Sequence, residues 1–189
     1  MTANPSELAE RAAGVVGSDR FSSDNGTAKV RVESDRWVEA HRALAVEMPY
    51  FSWLSAIDWD TEVVVGDPPQ SDDIEPRYEI LSCLGNVETG ESVILSTDIA
   101  KDEPSIASLT GVFGGADWHE REAAEMLGID FVGHPNLTHL YLPDAFEGHP
   151  LRKSFPLLTR DVKPWPGIVD VEPMPDEEGP STENPEDAG

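Results

Sequence analysis

The sequence predicts an α+β fold, in which a mixed or antiparallel sheet carries packed helices and an extended acidic C-terminal tail follows. Alternating apolar and polar residues flank a turn at residues 85–90 that contains two glycines, which is typical of a β-hairpin. Apolar residues recur at three- and four-residue spacing on both sides of this hairpin, as in amphipathic helices. We therefore assign residues 1–157 to one α/β domain and residues 158–189 to the tail.

The first part of the chain predicts a helix, a strand and a second helix. Pro5 suits the first position of a helix, and Gly17 marks its end. Residues 27–33 alternate as a half-buried strand does. Ser34 is then the expected N-cap of a helix that runs to about Glu47. The apolar stripe of this second helix comprises Trp37, His41, Leu44 and Met48, with His41 interpreted as a histidine at the edge of the core.

The middle of the chain predicts three strands and a further helix. Residues 50–59 are rich in aromatic and apolar side chains and lead into a strand, and residues 66–76 read as a loop because of their prolines and aspartates. Residues 77–84 and 92–99 form the two arms of the hairpin. Residues 104–113 are predicted as a helix, because Pro104 suits its start and the apolar residues after it recur at helical spacing.

Composition excludes several classes of function. The 189-residue chain has a formal charge of -24, which would repel nucleic-acid phosphates and anionic lipid surfaces. Cys83 is the only cysteine, so the chain cannot form an internal disulfide or hold an all-cysteine iron–sulfur cluster by itself. We expect no signal peptide and no transmembrane segment. The tail is proline-rich and acidic, as in segments that bury too little apolar surface to fold.

Specific polar residues are densest between Asp117 and Leu157, where four of the five histidines lie. Asp117 is the expected N-cap of a helix that ends at Gly128, with Glu120 in the capping-box position. Gly-His-Pro occurs twice, at 133–135 and 148–150, and both copies predict turns.

Metal chemistry is one interpretation of this stretch. His119-Glu120 begins like a zinc-protease helix, but Ala123 stands where the second histidine is required. The four histidines of the stretch also lack the spacing of a known metal signature. The sequence therefore disfavours a metal site without excluding one.

Acid–base catalysis and partner recognition are the other interpretations. The clustered carboxylates of Glu120, Glu122 and Glu125 could raise one another's pKa values, as general acids require. Arg121 and Glu125 are four residues apart, however, and predict an ion pair on the helix surface. A docking surface would use the same helix charges together with the basic pair at 152–153.

The same stretch resembles the signature of the C subunit, the 30-kilodalton subunit of respiratory complex I, NADH:quinone oxidoreductase. The resemblance extends upstream to about Tyr50. The family usually has basic residues after the first Gly-His-Pro, where this chain has Thr138 and His139. The residues that carry the resemblance are Glu120-Arg121-Glu122, Glu125-Met126-Leu127-Gly128-Ile129, Gly133-His134-Pro135, Phe146-Glu147-Gly148-His149-Pro150-Leu151-Arg152-Lys153 and Phe155-Pro156-Leu157.

This resemblance implies a non-catalytic subunit in the peripheral arm of a proton-pumping complex, on the cytoplasmic side of the cell membrane. It implies a hetero-oligomer in which the chain docks onto the D subunit of complex I beside the quinone-reduction site, without direct membrane insertion. The chain itself would carry no cofactor, no metal and no active site, while other subunits carry FMN and iron–sulfur clusters. The enzyme would be the complex as a whole.

The predicted partner and fold contacts follow from that resemblance, and two alternatives stay open. One alternative is the equivalent subunit of an energy-converting hydrogenase or of a quinone reductase with another donor. The other is a free-standing metal or carboxylate enzyme that uses the glutamates and histidines of the stretch. The predicted contact residues are Glu120, Arg121, Glu122, His134, His149, Arg152 and Lys153.

Overall fold

The computed structural model of the protein describes residues 4–60 and 75–156. The helices are α1 (Pro5–Val16), α2 (Trp37–Leu44) and α3 (Ala116–Leu127). The strands are β1 (Phe21–Ser22), β2 (Ala28–Arg31), β3 (Tyr50–Trp59), β4 (Arg77–Asn86), β5 (Glu91–Ile99), β6 (Ser105–Ala107) and β7 (Asp130–Val132). The predicted tail at 158–189 and most of the predicted loop at 66–76 lie outside the described residues.

Five of these strands form a mixed sheet in the order β1-β2-β5-β4-β3. β2 runs parallel to β5, whereas the other neighbours are antiparallel, and β4 and β5 form the predicted hairpin. β6 and β7 pair in parallel as a second, two-stranded sheet, with α3 as the crossover between them. The α+β prediction is confirmed.

One face of the five-stranded sheet forms the core with the helices. Val30, Ile80 and Leu95 point to this face from three neighbouring strands and are fully buried. α1 and α2 pack against each other, and α1 also packs on β2. The predicted stripe of α2 is confirmed, because each of its residues is buried.

The opposite face of the sheet carries ion pairs that cross the strands. The Lys29 ammonium binds the Glu79 carboxylate at 2.7 Å, and Arg31 binds Asp98. Glu79 also accepts a 2.9 Å hydrogen bond from the indole N–H of Trp59. Burial by itself would raise the pKa of Glu79, but Lys29 and Trp59 outweigh it and hold the pKa below its usual range.

The local patterns misplace two features. Residues 104–113 are not a helix: β6 occupies their first half, and a turn at Leu109–Phe113 follows. Ile106, Leu109 and Phe113 are all buried, so the apolar spacing is real, but the strand is specified by pairing with β7, which lies 20 residues or more along the chain. Ser34 begins a short 3-10 turn instead of capping α2, which starts at Trp37 without a side-chain cap.

No helix within the described ranges combines the length and the apolar character needed to cross a bilayer. The longest of them, α1 and α3, have 12 residues each, whereas a membrane span needs about 20. α1 is instead a surface helix with one apolar side, capped by the Asn4 side chain and ended by Gly17 in the left-handed conformation.

His41 lies inside the core, not at its edge as the sequence suggested. Its side chain is fully buried, and its Nδ1 is 2.7 Å from the Trp37 carbonyl oxygen. Because a carbonyl can only accept, Nδ1 carries the ring proton and Nε2 accepts the hydroxyl proton of Ser82. Burial lowers the pKa of His41 from 6.5 to about 4, although the Trp37 carbonyl acts in the opposite direction.

We expect His41 to make the fold sensitive to acid. Between pH 6.5 and 4 the unfolded chain binds a proton at this residue and the folded chain does not, so the free energy of unfolding falls as pH falls. The pKa difference corresponds to about 3 kcal/mol at the low end of that window. Urea unfolding of the wild type and of His41→Gln from pH 7 to 4.5 should show a shallower pH dependence in the variant. Equal slopes would contradict the assignment.

Candidate functional site

The dense stretch folds as α3 followed, after β7, by a segment that runs back along the helix. We call residues 133–156 the strap. α3 begins at Ala116, with Gly115 at the N-cap and no side-chain cap, so Asp117 lies in the first turn and is not the N-cap. α3 packs on β3, and the strap is joined to it by hydrogen bonds at both helix ends and in the middle.

Glu120 does not form the predicted capping box. Its side chain is fully buried and accepts hydrogen bonds of 2.6 Å from the Leu109 backbone N–H and from the Ser108 hydroxyl. These contacts join α3 to the turn that follows β6. Burial raises the pKa of Glu120, and the two donors only partly oppose this shift. Because the carboxylate is enclosed, Glu120 contributes to the fold rather than to an open surface.

The first Gly-His-Pro triplet fixes the strap to the start of α3. Gly133 has a φ of 87°, and the His134 side chain is fully buried. His134 Nδ1 accepts the Asn136 backbone N–H at 3.0 Å, so the neutral ring carries its proton on Nε2. Nε2 lies 3.2 Å from the Asp117 carbonyl oxygen and 3.3 Å from its carboxylate.

Arg121 binds the strap through backbone carbonyl oxygens. Its Nε donates to Thr138 at 2.9 Å and its Nη2 donates to His139 at 2.8 Å. Asp117 lies 3.9 Å from the third guanidinium nitrogen. The predicted ion pair with Glu125 is therefore wrong: both groups bind the strap backbone instead.

Glu125 binds the next three residues through their N–H groups. Leu140 and Tyr141 each donate to Oε2 at 3.0 Å, and Leu142 donates to Oε1 at 2.6 Å. Burial alone would raise the pKa of Glu125, but these three amides lower it below its usual range. Arg121 and Glu125 together pair with consecutive carbonyl and amide groups of residues 138–142.

The second Gly-His-Pro triplet completes the C-terminal end of α3. The last four carbonyl groups of a helix have no partner within the helix. In α3 each of them accepts a hydrogen bond, three of them from the strap. The pairs are Ala124 with Gly128 N–H at 2.9 Å, Glu125 with His149 Nδ1 at 2.8 Å, Met126 with Leu151 N–H at 3.0 Å and Leu127 with Arg152 Nε at 2.7 Å.

Gly128 is required by both conformation and space. Its φ of 73° is in the left-handed region, which confirms the predicted helix end. A Cβ atom here would lie 2.1 Å from Nη2 of Arg152 and 2.6 Å from Nε2 of His149. The glycine therefore lets these two side chains reach the helix carbonyls.

Lys153 joins the strap to the end of β3. Its backbone N–H donates to Asp58 at 2.9 Å, and its Nζ lies 3.3 Å from the Asp60 carbonyl oxygen. The Lys101 ammonium binds the other oxygen of Asp58 at 2.7 Å and also binds Asp60. Burial would lower the pKa of Lys101, but the two aspartates raise it above its usual range. No local pattern indicated Asp58 or Lys101.

The structure thus places most of the predicted contact residues in bonds within the chain. Arg121, His149, Arg152 and Lys153 bind the strap, α3 or β3, as do the buried Glu120 and His134 described above. Glu122 is the exception, because its carboxylate accepts only a 3.3 Å hydrogen bond from the Tyr141 hydroxyl among residues 4–60 and 75–156, at the protein surface. A cleft of about 390 Å³ remains between α3 and the strap, but Arg121 and Glu125, which line it, are already bound. The described residues contain no group of three potential metal ligands.

The sequence matches the family of the 30-kilodalton subunit of respiratory-chain NADH dehydrogenase over residues 30–161. This range takes in the five-stranded sheet from β2 onward, α3 and the strap. The chain belongs to this family. The resemblance inferred from residues 117–157 is thereby confirmed.

Curated relatives of this family member carry related names. The C subunit of NADH-quinone oxidoreductase from Roseiflexus sp. (strain RS-1) is 42% identical over 88 residues, which cover 47% of this chain and 51% of that protein. The C/D subunit of NADH-quinone oxidoreductase from Pseudomonas fluorescens (strain SBW25) is 37% identical over 97 residues, which cover 51% of this chain and 16% of that protein. The match thus spans about half the length of the Roseiflexus relative.

Two solved structures share the fold. One is of a membrane-bound sulfane sulfur reductase, an archaeal respiratory membrane complex, with a TM-score of 0.68 and 18% identity over 89% of this chain and 99% of that chain. The other is a trypsin-resistant fragment (1-134) of Nqo5, with a TM-score of 0.52 and 19% identity over 71% of this chain and all of that fragment. At such identities the likeness is one of fold.

We expect Gly128→Ala to destabilise the fold, because it forces a left-handed alanine and displaces the two capping side chains. The expected loss is about 2 kcal/mol or more in the free energy of unfolding, measured by urea denaturation. Gly14→Ala is the matched control, since Gly14 lies in α1 with open space around it. That variant should gain about 0.5–1 kcal/mol. Equal effects of the two variants would argue against the capping role.

We expect Glu125→Gln to loosen the strap. An amide presents one acceptor oxygen and a donor group to three backbone N–H groups, so the expected loss of stability is about 2 kcal/mol. Hydrogen exchange at residues 140–142 should become faster than in the wild type. Glu122→Gln is the control, and surface changes of this kind alter stability by about 0.5 kcal/mol or less. Unchanged exchange in Glu125→Gln would show that the carboxylate does not hold the strap.

Proposed function

We propose that this chain is the non-catalytic C subunit in the peripheral arm of a proton-pumping NADH:quinone oxidoreductase. In this role it docks onto the D subunit beside the quinone-reduction site and supports electron transfer from NADH to quinone. FMN and iron–sulfur clusters belong to other subunits. The chain associates with the cytoplasmic side of the cell membrane through the complex.

The observation that carries this proposal is the family match over residues 30–161, which includes the strap and its anchoring residues. Relatives at 36–42% identity have names of NADH-quinone oxidoreductase subunits, including the two described above. The name C/D supports the D subunit as the partner, because in that relative the two letters belong to one chain.

The geometry of the strap also supports a structural role. General acid–base catalysis needs a carboxylate within reach of a substrate. Glu120 and Glu125 instead bind hydrogen-bond donors of the chain itself. Their pKa values shift in opposite directions, but neither oxygen pair opens onto an unoccupied reaction site. The stretch that resembles an active site in sequence is thus used to hold the chain together.

A second candidate is the equivalent subunit of a complex with another electron donor. The likeness to the sulfane sulfur reductase complex is the observation in its favour, and it is a likeness of fold. The names of the curated relatives favour the NADH-dependent complex. Subunits other than this one select the electron donor, so their identity distinguishes the two candidates.

Affinity purification of the tagged full-length chain in mild detergent tests the proposal. We expect the D subunit to co-purify, together with the flavin-bearing subunit that oxidises NADH. A nickel-bearing hydrogenase subunit in its place would favour the second candidate. A chain that purifies alone, with stoichiometric zinc or iron that a chelator removes, would instead indicate a free-standing metal enzyme.

A further inference from the structure

The outer side of α3 presents an aromatic surface that the strap does not cover. Trp118 is 68% exposed and Tyr141 is 63% exposed. Glu122 follows Trp118 by one helical turn, so the two side chains lie on the same side of α3. The Tyr141 hydroxyl donates to the Glu122 carboxylate at 3.3 Å, which joins the three residues into one surface. We call Trp118, Glu122 and Tyr141 the α3 patch.

This patch has the features of a binding surface more than those of a scattered apolar residue. Single exposed hydrophobic residues are ordinary, but tryptophan is usually buried, and Trp and Tyr are enriched at binding hot spots. The patch is also held in place before any partner arrives. Trp118 stands on a helix, and the Tyr141 backbone is bound by Glu125. Little conformational entropy is therefore lost when a partner binds.

The charge of the patch selects a cationic partner. Glu122 forms no ion pair with any residue in the ranges 4–60 and 75–156. Its negative charge raises the pKa of the neighbouring Tyr141, which agrees with a carboxylate that no cation neutralises. Arg121 is close in sequence, but its guanidinium is bound to strap carbonyls. The whole chain carries a formal charge of -24, so a basic partner is also favoured at long range.

Among cations, arginine fits the patch best. A planar guanidinium can stack on the exposed Trp118 indole while it donates hydrogen bonds to the Glu122 carboxylate one turn away. A lysine ammonium is a more strongly hydrated point charge and lacks the planar face for stacking. The arrangement of ring and carboxylate therefore matches the two binding modes that arginine combines.

We propose that the α3 patch docks an arginine-bearing segment of the D subunit. This inference rests on the proposed function, and it adds a location and a recognition chemistry to it. Most of the sequence-predicted contact residues are bound inside the chain, whereas Trp118 and Tyr141 were absent from that set.

Assembly of the tagged full-length chain tests the patch. We expect Trp118→Ala and Glu122→Lys to lower the amount of the co-purified D subunit by about tenfold, as for interface hot spots. Matched controls are Val46→Ala and Glu88→Lys, which alter an exposed apolar residue and an exposed acid away from the patch. Urea unfolding should show that all four variants fold, since each change is at the surface. Normal recovery of the D subunit with both patch variants would overturn the proposal.

Photo-cross-linking identifies the occupant directly. A benzoylphenylalanine in place of Trp118 should cross-link to an arginine-containing peptide of the D subunit, while the same group in place of Val46 should not. Cross-links from position 118 to a second copy of this chain or to a different protein of the complex would overturn the proposal. If the wild-type chain recovers no D subunit at all, the proposed function fails. If it does and position 118 yields no cross-link to that partner, only the assignment of the patch fails.

Discussion

The hydrogen bonds between the C-terminal end of α3 and the strap are the constraint on which the rest of this region depends. His149, Leu151 and Arg152 satisfy three helix carbonyls that would otherwise lack partners. The positive charge of Arg152 also lies at the negative end of the helix dipole. In return, Arg121 and Glu125 satisfy backbone groups of the strap, which has no regular helix or strand within residues 133–156. Helix and strap therefore stabilise each other.

The scarcity of cations explains how this acidic chain holds together. Lysine and arginine number 13 against 37 acidic residues. Several of these cations are placed where segments meet: Arg152 at the helix end, Lys101 between Asp58 and Asp60, and Lys29 against Glu79. Such partly buried pairs are less screened by salt than surface pairs. The remaining surface is left strongly negative, and this favours basic partners over nucleic acids or anionic lipids.

Features set by local periodicity could be predicted from the sequence, and features set by distant partners could not. The hairpin, the apolar stripe of α2 and the glycine end of α3 each depend on residues close in sequence. β6 was predicted as a helix because its pairing with β7 leaves no local signal. Glu120 has the spacing of a capping box, yet Leu109 and Ser108 bind it because the chain folds back onto α3. The fold class was thus accessible, but most contacts of the site were not.

The same residue types serve catalysis and the binding of backbone groups, which is why residues 117–157 resemble an active site in sequence. A carboxylate that can accept a proton can also accept three amide N–H groups, as Glu125 does. Such contacts demand specific side chains as strictly as catalysis does, because Gly128 leaves room only for the two groups that bind the helix end. By fixing residues 138–142 against α3, they also hold Tyr141 beside Glu122 and Trp118. The internal bonds of the strap thereby shape the surface that it presents to a partner.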